Sequence, residues 1–277
     1  MKNLTGFQTL KYAIKPFLVK RHCHIYCIGH GKTGTHSLSD LFQRNYRATH
    51  EGDAEVLLDL IMDVAAGTLS AAELRHYLFW RDRRLLTEMD SSGLNIHFLD
   101  TLRDLFPQAR FILTLRDCHS WLESQLNHII ARPPANNPRV DYSRFQDFHY
   151  RWQGEPHPPE ETVLERLGLY TLDHFLSTYA WHNHKALDSL PRERLLVVRT
   201  HEIRQDAGRI AAFAGVPLQT LDLERAHSYP AKARFDVLGQ MDRDYVEDKI
   251  RQHCGPLMAE WFPDFLAKGN SGAPDTT

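Results

Sequence analysis

The feature that most constrains this chain is a glycine loop set between a strand and a helix. Ile25-Tyr26-Cys27-Ile28 is a short run of β-formers, Gly29-His30-Gly31-Lys32-Thr33-Gly34-Thr35-His36-Ser37 follows, and Leu38, Leu41 and Phe42 then return at helical spacing. The order predicts strand, phosphate loop and helix. Three glycines let the backbone turn tightly and aim successive N–H groups at one point, where the helix N-terminus adds about half a positive charge. Such a loop holds an anion, most often a phosphate; a tight turn without a ligand is the plain alternative.

The lysine is in an unusual place. A Walker A sequence needs it directly after the second glycine, but here Thr35 stands there and the lysine has moved forward to Lys32. A lysine ahead of the last glycine, followed by Thr33-Gly34-Thr35, resembles the 5′-phosphosulfate loop of sulfotransferases that use 3′-phosphoadenosine 5′-phosphosulfate (PAPS). A second stretch supports the resemblance. That family grips the donor's 3′-phosphate with an arginine at a strand end and a serine eight residues later, and Arg116 and Ser124 stand in that order behind the apolar run 111–115. The surrounding Arg116-Asp117, Trp121-Leu122 and Ser124 are also similar to the family, with Cys118 where a proline is usual. Alone, Arg116 reads as a partner for an acid and Ser124 as a surface serine; together, behind a phosphate loop, they favour the family. The likeness covers mainly residues 24–126, with weaker echoes at 195–217.

The resemblance implies a donor site made of Gly31, Lys32, Thr33, Gly34, Thr35 and His36, with Arg116 and Ser124 on the 3′-phosphate. It also implies a basic loop near the C-terminus, where Lys232 and Arg234 fall, although solvated surface charge explains that pair equally well. Lys32 would neutralise the leaving phosphate oxygen. Glu51 matches the location of a family base, with Gly52 where a proline often follows, and His50 and Asp90 are the other candidates. No metal is implied: His182-Asn183-His184 and His22-Cys23-His24 lack further ligands at zinc spacing. Two other readings stay open, a P-loop kinase with Asp117 as the Mg²⁺-binding acid, and a non-catalytic nucleotide-binding module.

Composition sets the remaining bounds. Lys plus Arg number 33 against 35 Asp plus Glu in 277 residues, so there is no positive field for nucleic acid. Cys23, Cys27, Cys118 and Cys254 fit neither a disulfide framework nor paired zinc spacing and read as buried free thiols. No apolar run reaches the roughly 18 to 20 residues of a membrane span, and no signal peptide is visible, so a soluble cytoplasmic protein is expected. Residues 1–22 form a basic amphipathic segment, with Leu4, Phe7, Leu10, Ile14, Phe17 and Leu18 at helical spacing and no acid beside Lys2, Lys11, Lys15, Lys20 and Arg21. Such a segment can lie on an anionic membrane, or pack on its own domain as a helix interrupted at Pro16.

Strand and helix patterns alternate, which predicts one α/β domain over 23–268, a parallel sheet of about five strands flanked by helices. Strands are expected at 46–50, 85–89, 110–115 and 195–198 besides the first, and helices at 35–44, 54–66, 70–81, 94–106, 161–190, 206–214 and 242–261. Ser70 and Glu73 have the spacing of a capping box. Residues 132–159 show no period and are too long for an ordinary connection, so 132–190 reads as an acceptor-binding or lid region rich in aromatic residues, and 269–277 as a disordered tail.

Overall fold

The computed structural model describes residues 6–132, 140–225 and 234–263, without the side chains of 6, 7, 140 and 141. Its contacts group the chain into two compact units: Met1–Leu115 with Lys185–Pro230, and Arg116–His184 with Ala231–Thr277.

The first unit holds the sheet. Strands β1 (Ile25–Cys27), β2 (Ala48–His50), β3 (Met89–Ser91), β4 (Arg110–Leu115) and β5 (Leu195–Arg199) lie in the order β2-β3-β1-β4-β5. All four pairings are parallel. The α/β class and the five-stranded parallel sheet expected from the sequence are present. Around the sheet run α1 (Gly6–Leu18), α2 (Thr35–Gln43), α3 (Ala54–Ala65), α4 (Ala71–Leu85), α5 (Leu99–Leu105) and α10 (Ala207–Ala214). Alternation along β1 divides its side chains: Ile25 and Cys27 join Leu38, Phe42 and Ile210 in one buried cluster, while Tyr26 stacks on Phe111. β4 is buried from Phe111 onward, as its unbroken apolar run requires.

The second unit is helical: α6 (Cys118–Ala131), α7 (Val140–Tyr150), α8 (Thr162–Arg166), the start of α9 (Leu172–Ser189) and α11 (Arg243–Trp261). Trp121 stacks on Tyr179 at 4.0 Å between ring centroids, and Tyr150 packs edge-on to Phe175 and accepts a hydrogen bond from Gln125. The buried carboxylate of Glu161 accepts from the Leu172 amide and the Tyr245 hydroxyl.

Three expectations need correction. Leu85 and Leu86 belong to the end of α4 rather than to a strand: α4 runs on to Leu85, Leu86 closes it in the left-handed region at φ 52°, and β3 begins only at Met89. The helix expected over 161–190 is broken, because Gly168 turns left-handed at φ 65° and Thr171 starts a new helix by accepting from the His174 amide. The stretch 132–159 is not aperiodic throughout, since α7 occupies Val140–Tyr150. Several of its aromatics, and those after it, are core: Phe145, Tyr150, Phe175 and Tyr179 are all buried. The Ser70–Glu73 capping box forms in both directions, and all four cysteines are buried and free. The tail at 269–277 lies outside the described residues.

Candidate active site

In the first unit, β1, β2 and β3 end level with one another: Cys27 pairs with Ser91 and Ser91 with His50. The glycine loop, the turn after His50 and the Ser91-Ser92 pair therefore leave the same edge of the sheet. This is where open α/β sheets bind ligands.

The loop is braced from three sides. At Gly29 a Cβ would lie 1.9 Å from the Thr114 hydroxyl oxygen, so no other residue fits against β4 there. Gly34, the N-cap of α2, sits at φ 95°, and a Cβ on it would meet Ile203 at 2.7 Å. The buried Thr33 hydroxyl donates to the His30 carbonyl at 2.7 Å and lies 2.8 Å from the Thr114 hydroxyl, while its carbonyl accepts from Thr200 at 2.6 Å. Lys32 is held at φ 67°, a conformation that costs a non-glycine residue about 1 to 3 kcal/mol. Beyond Gly34, the amides of the first turn of α2 have no intrahelical acceptor. A rigid turn follows from these contacts, of the kind that can receive an anion.

Thr35 links this turn to the neighbouring strand ends. Its carbonyl accepts from the Ser91 hydroxyl at 2.7 Å, and its hydroxyl lies 3.2 Å from His50 Nε2. The His50 ring is 4.7 Å from the His36 ring, and His36 Nδ1 lies 3.2 Å from a carboxylate oxygen of Asp40 one turn on. Burial, and then the charge of His36, push His50 down to about 4, so its imidazole is neutral at pH 7. Glu51 and Asp53 both adopt left-handed backbone, at φ 53° and 58°, on either side of Gly52. The Glu51 amide donates to the Ser91 carbonyl at 2.8 Å. Its carboxyl is raised by desolvation, with His36 pulling the other way; because the side chain also reaches solvent, water tempers that rise.

Sequence reasoning missed the group that holds this turn. Arg81, buried on α4, donates to Asp90 at 2.5 Å and to the Gly52 carbonyl at 2.8 Å, and its Nε lies 3.4 Å from Asp53. Arg84 closes on the same Asp53. A charged residue on the inner side of an otherwise amphipathic helix was the available signal. Asp90 thus has its carboxylate on Arg81 and is 1% exposed.

Arg116 and Ser124 belong to the second unit. The Tyr179 hydroxyl donates to the Arg116 carbonyl at 2.6 Å, and the Arg116 side chain donates from Nε to Ser120 at 2.9 Å. Asp117 caps α6, accepting from the Ser120 amide at 2.9 Å and from the Ser120 hydroxyl. Ser124 is half-buried, two turns into α6. Arg234 is exposed, and Lys232 lies outside the described residues. Among the described residues, no cluster of three or more His, Cys, Asp or Glu side chains is placed to hold a metal ion.

No curated protein matches the chain in sequence. Among solved structures, the sulfotransferase STF9 of Mycobacterium avium is similar over 87% of this chain and 78% of its own, at 14% identity and a TM-score of 0.45. The sulfotransferase domain model matches residues 24–227, from the start of β1 past the end of β5, and the chain therefore belongs to the sulfotransferase domain family.

Proposed function

We propose that the protein moves the sulfuryl group of PAPS to a hydroxyl or amine of an acceptor, a carbohydrate, glycolipid or small metabolite, without a metal ion. The observation that carries this reading is the braced loop from Gly29 to Thr35 opening α2, with His50 and Glu51 leaving the same sheet edge. The donor supplies a sulfur–oxygen bond whose cleavage leaves negative charge on a phosphate oxygen. Lys32 offsets that charge, while the Thr35 hydroxyl and the first-turn amides of α2 hold the 5′-phosphate. Glu51 takes the acceptor proton as the acceptor oxygen bonds to sulfur, and its raised pKa strengthens it as a base near neutral pH. Neutral His50 orients the Thr35 hydroxyl. Asp90 is set aside as a base because Arg81 occupies it. From the sequence pattern alone, Arg116 and Ser124 are assigned the 3′-phosphate. The kinase reading would need Asp117 for Mg²⁺, but both Asp117 oxygens are engaged by Ser120.

The test is thermal stability with added nucleotide, since a ligand that binds only the folded state raises the midpoint by mass action. The midpoint should rise with 3′-phosphoadenosine 5′-phosphate far more than with ATP or AMP. An equal rise with ATP and none with the bisphosphate would overturn the proposal.

A further inference from the structure

Helix α1 presents an apolar face that the sheet unit does not cover. Phe17, Leu18 and Leu10 are the most exposed large hydrophobic residues among those described, at 84%, 77% and 59%, and Ile14 stands between them at 42%. At about 100° per residue these four fall within an arc of about 100°. The helix is fixed from its other side: Arg83 donates to the Ala13 carbonyl at 3.3 Å and Lys15 donates to the Arg84 carbonyl at 2.5 Å, both from α4. The exposed face is thus part of a docked helix. Single exposed apolar residues are ordinary, whereas four on one stripe mark an interaction surface.

Charge identifies the partner. No Asp or Glu occurs before Asp40, and five cations fall within the first 21 residues. Lys11 borders the apolar arc, and Lys11 and Lys20 are exposed. Lys15 lies among Arg47, Lys11, Arg84 and Arg21, and burial together with those charges lowers its pKa. Acids do face the cluster from neighbouring elements: Asp82 pairs with Arg21, Glu88 with Arg47 and Asp53 with Arg84. None of these three acids pairs with Lys11 or Lys20. A second copy seated symmetrically on the stripe would set those lysines near their own counterparts, which disfavours self-association. No helix among the described residues is long and apolar enough to cross a bilayer. We propose that α1 docks the protein in the plane of an anionic lipid surface, with Phe17, Leu18, Leu10 and Ile14 at the headgroup–acyl boundary and Lys11 and Lys20 on the headgroups. The proposal does not depend on the donor or acceptor of the transfer reaction.

Flotation of the full chain with phosphatidylglycerol–phosphatidylcholine vesicles tests it, against phosphatidylcholine alone. The chain should float with anionic vesicles, at least about tenfold less with neutral ones, and less as salt is raised. Phe17→Ser/Leu18→Ser and Lys11→Glu/Lys20→Glu should each weaken binding at least about tenfold. Both pairs are exposed, so circular dichroism should remain that of the parent, which separates lost docking from lost folding. Absence of flotation with anionic vesicles, or binding that neither double variant weakens, would overturn the proposal. So would a dimer in sedimentation that Phe17→Ser/Leu18→Ser dissolves while vesicle binding is absent.

Discussion

Replacing Arg81 by Met probes the turn that carries Glu51. Methionine keeps much of the buried stem and removes the guanidinium, whose side chain is 4% exposed opposite an Asp90 side chain that is 1% exposed. Three contacts disappear, to Asp90, to the Gly52 carbonyl and to Asp53. Asp90 Oδ1 is already buried without a hydrogen-bond partner, so the carboxylate would be left with its charge unopposed. Breaking a buried pair on one side costs about 3 to 5 kcal/mol. A buried carboxylate can escape by taking up a proton, which at pH 7 costs about 4 kcal/mol from the ordinary aspartate value, so the loss has a ceiling of that size. Urea unfolding followed by circular dichroism should therefore show Arg81→Met less stable by about 3 to 4 kcal/mol. Arg81→Met/Asp90→Asn should recover about half or more of that, because the second change removes the unopposed charge. The loss should also shrink as pH falls, since protonation is then easier. A loss below about 1 kcal/mol, or a double variant no better than the single, would refute the claim that this ion pair anchors the turn.

The other predictions concern chemistry, donor binding and pH. Glu51→Gln should lower kcat by about 10² to 10⁴ while bisphosphate binding stays intact; near-normal turnover, with His50→Ala inactive instead, would move the base to His50. Arg116→Ala should weaken binding of 3′-phosphoadenosine 5′-phosphate about 10- to 100-fold, the worth of a charge-assisted hydrogen bond, and unchanged affinity in isothermal titration would make Arg116 structural. Burial pushes His30 down to about 4 and His97 down to about 3. Their unfolded forms bind protons first, so the stability they contribute is full above about pH 6.5 and is lost as pH falls toward 4. Unfolding free energies flat from pH 7 to 5 would contradict that burial.

Much of this protein was legible in one dimension, and the reason is steric and periodic. Gly34 meets a local backbone demand, standing at φ 95° as the N-cap of α2, and apolar spacing places β1, β4, α2 and α11 close to where they form. The forward lysine and the Arg116–Ser124 spacing pointed to the family that the domain match shows. Signals that depend on approach through space were not legible. Leu85-Leu86 has strand composition, yet α4 continues through it, with Arg81 and Arg84 brought against Asp53 and Asp90. That pairing joins residues from three elements, and no local pattern encodes which acid a buried arginine will meet. In sequence Asp90 is a candidate base beside Glu51, and only its burial beside Arg81 separates it from Glu51, whose carboxyl reaches solvent. The sequence alone determined the glycine loop between strand and helix, the α/β class and the cationic, acid-free character of the N-terminal segment. Tertiary structure decided which polar groups are satisfied inside and which are left able to react, because desolvation and pairing are set by neighbours distant along the chain.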